Sequence, residues 1–288
     1  MSTSRVWLIT GSSSGFGRRL VEFALARGER VVATLRTPSD LDGLASEYSS
    51  HQLLVTKLDV TDRSAIAGAF HEAKSAFGRV DVVFNNAGCW MLGEVESTPE
   101  DVARRLFDVN FWGAANVSSE TVRFFREDNP RGAGGRLIVV SSDAGIAPFV
   151  SNGYYNASKF ALEGLTQTLS QELDPEWNIK ITIIEPGYFR TPIVDKATQL
   201  PIHTAHANPA GAVVKQREHE DQTFEDPNYK IGDVRKAVEK IFELAGLPTP
   251  PLRLAMGLDA VSKIRSQIAQ LGDELEAYEG WSSDLLER

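Results

Sequence analysis

The chain of 288 residues contains one cysteine, Cys89, so no disulfide can form within it. A core must hold the fold, and a reducing compartment is expected. No apolar run approaches the ~18 residues of a membrane-spanning helix. The opening MSTSRVWLIT leaves no room for a signal peptide before the first strand-like run. A soluble, cytoplasmic protein is the expectation. Positive charge is also scarce: 30 Lys and Arg against 39 Asp and Glu give a formal net charge of −9. With no Lys/Arg run, nucleic acid and anionic membrane are poor candidates for the main partner. Repeats and low-complexity tracts are absent. Five histidines show no metal-ligand grouping, and His203 and His206 stand three apart with no carboxylate or cysteine nearby in sequence, so no metal is expected.

What is present is an ordinary globular composition, 42% hydrophobic and 24% charged, long enough to bury a large core. Short apolar strands alternate with helical stretches. The strands are read at 6–10, 30–35, 53–60, 80–85, 136–142, 179–186 and 251–256. Helices are read from the first glycine turn to about 27, then over 41–48, 64–77, 155–173 and 258–278. Another starts at STPED (97–101), with Thr98 as cap and Pro99 in the first helical position. Apolar strands separated by helices imply parallel strands buried on both faces. Right-handed crossovers then give an α/β doubly wound sheet of the Rossmann type, one domain over 1–288. The irregular stretch 191–231 reads as a lid over a substrate site, and 258–278 as an extra C-terminal helix.

TGSSSGFG (10–17) follows the first strand and opens a helix. Gly11, Gly15 and Gly17 allow a tight turn and close backbone approach, Ser13 and Ser14 add hydroxyls, and Phe16 lies among them. The helix N-terminus offers free N–H groups to a pyrophosphate. An ordinary strand–helix turn would use the same residue types. The second strand ends ATLRT, placing Arg36 where an acid would hold the ribose of NAD. An arginine pairs instead with a 2′-phosphate, which favours NADP, although a solvated surface arginine is common. Asp59, followed by Val60 after the third strand, is an acceptor for the adenine amino group or else a turn aspartate.

NNAG (85–88), DVN (108–110), SSDAG (141–145) and YNASK (155–159) all fall near the carboxyl edge of the expected sheet. Together with the glycine turn and PGYFRT (186–191), this set resembles the short-chain dehydrogenase/reductase family over about residues 5–191. The resemblance implies which of two adjacent tyrosines carries chemistry. Tyr155 lies four before Lys159 and thirteen after Ser142, as the family pattern requires, and Tyr154 does neither. Residues four apart share a helix face, so the lysine is expected to lower the phenol's pKa from its ordinary ~10.

The resemblance further implies that Tyr155 exchanges a proton with the substrate oxygen while Ser142 orients it. Lys159 also binds the nicotinamide ribose, and Asn110 holds a water in a proton relay. Asn86, Ala87 and Gly88 line the cofactor, and Pro186, Gly187, Phe189 and Thr191 pack beside the nicotinamide. ATLR with GSSSGFG most resembles NADP-using members related to hydroxysteroid and retinol dehydrogenases. Trp90, Met91, Phe149 and Tyr154 flank these motifs as a candidate apolar substrate wall, with Cys89 beside them; packing roles would explain them equally. The expected protein is an NADP(H)-dependent oxidoreductase of an apolar carbonyl or secondary alcohol, and a homodimer. The alternatives are an NADP-binding sensor without turnover and an epimerase or dehydratase on the same fold.

Overall fold

The computed structural model describes residues 4–226, 231–283 and 285. Seven parallel strands form one sheet in the order β3-β2-β1-β4-β6-β7-β9. These are β1 (Val6–Thr10), β2 (Arg30–Leu35), β3 (Leu53–Lys57), β4 (Val82–Asn85), β6 (Gly135–Val140), β7 (Ile179–Pro186) and β9 (Arg253–Met256). The two short strands β5 (Met91–Leu92) and β8 (Thr198–Gln199) pair separately in parallel, Met91 with Thr198. The order reverses between β1 and β4, which opens a crevice at the carboxyl ends of the strands.

β1 is buried at all five positions, as a central strand covered on both faces must be. Alternate residues of its VWLIT feed two cores. Trp7 and Ile9 join Leu20, Val21 and Ile241 on one face of the sheet. Val6 and Leu8 join Phe70, Phe124 and Leu162 on the other. The helices involved are α1 (Gly15–Ala26), α3 (Arg63–Phe77), α5 (Ala114–Glu127), α6 (Gly153–Glu172) and α8 (Val234–Leu244), with α2 (Asp42–Glu47) and α4 (Glu100–Phe107) short. Truncating a fully buried aromatic such as Phe84 to alanine would cost about 3–5 kcal/mol.

Several boundaries differ from expectation. β3 stops at Lys57 because the Asp59 carboxylate accepts from the backbone N–H and the hydroxyl of Thr61, turning the chain. β4 begins at Val82, just after Asp81, whose carboxylate accepts from Val6 N at 2.8 Å at the start of β1. Thr98 is not the cap of α4. Its hydroxyl donates to the Glu94 carbonyl, and Pro99 takes the flanking position. The stretch 191–231 is not structureless: it contains β8 and α7 (Ala212–Glu225), while residues 227–230 lie outside the described residues. α9 (Leu258–Tyr278) has the expected bounds. No described helix is long and apolar enough to cross a membrane.

Candidate active site

The glycine turn is shaped by two demands. Gly11 has φ +68°, where a side chain is strained. At Gly17 a Cβ would sit 2.4 Å from the Gly11 carbonyl oxygen, so any other residue would push the turn apart. The Ser14 side chain makes no capping hydrogen bond to α1, which leaves the first-turn N–H groups open to an anion. Asn86 fastens the turn from β4's end, donating from Nδ2 to the Thr10 carbonyl at 2.9 Å. The Thr10 hydroxyl in turn accepts from the backbone of Asn86 and Ala87.

This turn walls one half of a long cleft. Gly11, Ser13, Ser14 and Gly15 line it at one end, and Arg36, Asp59 and Val60 line it further out. Gly17, buried behind the turn, shapes the wall without lining it. Arg36 is exposed and makes no ion pair among the described residues. The Thr61 hydrogen bonds hold the Asp59 carboxyl below its usual range, and the charge of Arg36 adds to this. The other half is lined by Ser142, Tyr155, Lys159, Phe149 and the 186–191 loop. Phe16, Asn86, Gly88 and Thr191 line both halves, so the cleft is continuous. Phe16 meets Phe189 edge to face, ring centroids 5.0 Å apart, at the join.

Tyr155 lines the second half and Tyr154 does not. The lysine and tyrosine stand near each other, with Lys159 Nζ 5.8 Å from the Tyr155 ring centre. The expected lowering of the phenol is overturned in this structure. Burial pushes Tyr155 above its ordinary range, and the neighbouring Ser142 hydroxyl only partly opposes this. Burial also lowers Lys159, to about 8, and its ammonium donates to the Val140 carbonyl at 3.1 Å.

Asn110 sits in a π-helical turn, Asp108–Gly113, between α4 and α5. Its side chain is engaged on both atoms by Cys89. Oδ1 accepts from Cys89 N and Nδ2 donates to Cys89 O, both at 2.9 Å. Sequence reasoning did not anticipate this clamp. Burial raises the Cys89 thiol above its ordinary range.

Of the candidate apolar wall, Phe149 lines the half that holds Tyr155, Trp90 lines both halves, and Met91, buried in β5, borders the half with the glycine turn. The sequence reading missed Tyr188, Asn152, Glu220 and Phe224 in this wall. Tyr188 lay inside the quoted PGYFRT. Glu220 and Phe224 come from α7, which polar contacts bring over the cleft. Arg217 pairs with Glu94 at 3.1 Å, and Arg190 donates to the Phe224 carbonyl at 2.7 Å.

The short chain dehydrogenase family model matches residues 5–200. The chain belongs to this family. It is 42% identical over 277 residues to an uncharacterized oxidoreductase of Schizosaccharomyces pombe, covering 96% of this chain and 90% of that protein. It is 32% identical to the oxidoreductase calM of Penicillium decumbens, covering 96% and 91%. A short-chain dehydrogenase from Streptomyces avermitilis superposes with a TM-score of 0.84 at 35% identity, covering 97% of this chain and 98% of that one. The protein is an oxidoreductase of the short-chain type, a family that uses a nicotinamide cofactor.

Proposed function

We propose that this dehydrogenase interconverts an apolar ketone or aldehyde and its alcohol, using NADP(H), with Tyr155 as the acid and base. The observation that carries the reading is the placing of Ser142, Tyr155 and Lys159 along one wall of a cleft whose other half is a phosphate-ready glycine turn. The residues fit a dinucleotide: Gly11 and Gly17 let the turn pack tightly against itself and Asn86, the α1 N-terminus meets its phosphates, and Lys159 and Thr191 face its nicotinamide end. Arg36 takes the 2′-phosphate and Asp59 the adenine. Bound there, the nicotinamide supplies or accepts the hydride.

The protein's own part is proton handling and orientation. Burial keeps the Tyr155 phenol protonated, so it meets a carbonyl oxygen as a loaded acid. Ser142 positions that oxygen. Lys159, with a pKa near 8, retains its charge at neutral pH and stabilises the phenolate that the departing proton leaves behind. Trp90, Phe149, Tyr188 and Phe224 offer an aromatic wall that suits an apolar substrate. We read residues 191–231 as a lid and the whole chain as one domain acting as a homodimer. Trp112 and Phe160 on the helices around the site are exposed and suit such an interface. Loss of NADPH absorbance with a panel of ketones and aldehydes tests the activity. A protein that binds NADPH and reduces none of them would be a sensor instead.

A further inference from the structure

The first turns of α9 are fastened to the fold. Asp259 accepts from Tyr188 N at 2.7 Å, Lys263 pairs with Asp143 at 3.4 Å, and Ala260 is buried. From Ile268 to Tyr278 every residue is exposed, so about three turns stand in solvent. A helical stretch this short is marginal in water by itself, and Gly272 in its middle weakens it further. Nor is the stretch polar all round. Val261, Ile264, Ile268, Leu271, Leu275 and Tyr278 follow one another at intervals of three, four, three, four and three. That spacing makes the narrow apolar seam that pairs of helices bury between them. In one copy of the chain Ile268 is 62%, Leu271 54%, Leu275 73% and Tyr278 63% exposed.

We propose that α9 is a pairing arm whose seam packs antiparallel against α9 of a second copy of this chain. Charge decides both the partner and the direction. Lys263 and Arg265 lie in the first half of the helix, and Asp273, Glu274, Glu276 and Glu279 follow in the second half and at its end. Parallel pairing would set acid beside acid. Antiparallel pairing sets Arg265 level with the partner's Glu274 and opposes the two helix dipoles. The seam fits the same register: Ile268 faces the partner's Leu271, Ile264 the partner's Leu275, and Val261 the partner's Tyr278. The surface is thus complementary to itself, as a twofold interface must be. The acidic half is repelled by an anionic membrane surface. This interface is separate from the one suggested above by Trp112 and Phe160. A chain that uses both closes a tetramer of dihedral symmetry, and one that uses α9 alone forms a dimer. In either case, breaking the α9 seam halves the mass of the assembly.

The experiment reads the mass of the full chain by light scattering at micromolar concentration. Ile268→Glu combined with Leu271→Glu should halve the mass of the wild type and keep a cooperative unfolding transition, since both side chains are exposed in one copy. If that variant does not fold, Ile268→Ser with Leu271→Ser carries the same comparison. Direction is read by cross-linking. When Ile264→Cys and Leu275→Cys chains with different tags are co-expressed, oxidation should join unlike chains, and neither variant should cross-link by itself. A monomeric wild type, or a folded seam variant with the mass of the wild type, overturns the proposal. Cross-links within the single variants and none between them overturn the antiparallel register. A monomeric wild type that floats with phosphatidylcholine vesicles assigns the seam to a bilayer and overturns the proposal as well. A wild-type dimer that the seam variant turns into a monomer supports the arm and removes the interface at Trp112 and Phe160.

Discussion

Residues 5–190 and residues 191–283 are held in place by different forces. The first segment carries six of the seven sheet strands and most of the buried apolar side chains, Trp7, Phe70, Phe84 and Phe124 among them. In the second, α8 buries Ala237, Val238, Ile241 and Leu244, but its neighbours do not follow suit. α7 buries Glu220 and Thr223, and α9 buries only Ala260 while exposing Leu258, Ile268, Leu271 and Leu275. Polar links fasten these elements: Arg217 to Glu94, Lys263 to Asp143, Asp259 to the Tyr188 backbone. Apolar burial gives a stiff platform, whereas these few largely buried polar links must each repay a desolvation cost and so hold their elements with little net energy. The half of the cleft with the glycine turn thus stands on the apolar-packed part, and the half with Tyr155 is covered in part by α7.

The largest effect expected from this contrast is in hydrogen exchange. Amides of β6 and β7 should exchange orders of magnitude more slowly than those of α7, and NADP plus a substrate analogue should slow α7 selectively. Equal protection of α7 and β6 without ligand would erase the distinction.

Next in size is the cofactor preference proposed for Arg36. A charged contact of this kind is worth about 1.5–3 kcal/mol, or about ten- to a hundredfold in affinity. NADPH should therefore exceed NADH in kcat/KM, less so at high salt. Arg36→Asp should reduce that ratio more than Arg36→Ala. A wild-type ratio near one would make Arg36 a surface charge only.

Smaller effects concern what the rigid half gives up to hold charge. Lys159 is lowered from an ordinary 10.5 to about 8. Below pH 8 it is charged in both folded and unfolded chains, and the folded state bears the cost; above pH 10.5 that cost is gone. Lys159→Met should raise Tm by about 2–4 °C at pH 7, and less at pH 10, while weakening NADPH binding. Glu185 behaves oppositely with pH. Burial and the nearby Glu163 raise it from 4.5 to about 7, so its penalty grows as pH rises through that window. Glu185→Gln should raise Tm at pH 8 and leave it unchanged at pH 4.5. A uniform shift at both values would mean packing rather than charge.

The sheet was legible in sequence because its strands are apolar on both faces and end in glycine- or aspartate-bearing turns. β1, β2 and β7 kept their bounds and the others shifted by one to three residues, as β3 does where Asp59 turns the chain. The half of the cleft with the glycine turn was legible because it is built from local turns. α8 escaped notice although its buried residues recur at helical spacing behind a capping Asp233. α7 offered no such signal, because what it buries is polar. The link from Lys263 to Asp143 joins residues 120 apart in sequence, and no local pattern encodes it. Nor does spacing reveal that burial would raise the Tyr155 phenol.

The most direct test compares the two adjacent tyrosines, one in the cleft and one outside it. NADPH-dependent reduction of a ketone is measured for wild type, Tyr155→Phe and Tyr154→Phe, with NADPH affinity determined alongside. Tyr155→Phe should lose about 10²–10⁴-fold in kcat, the usual worth of a general acid, with NADPH affinity within a few-fold of wild type. Tyr154→Phe should turn over as the wild type does. An active Tyr155→Phe beside an inactive Tyr154→Phe would contradict the account.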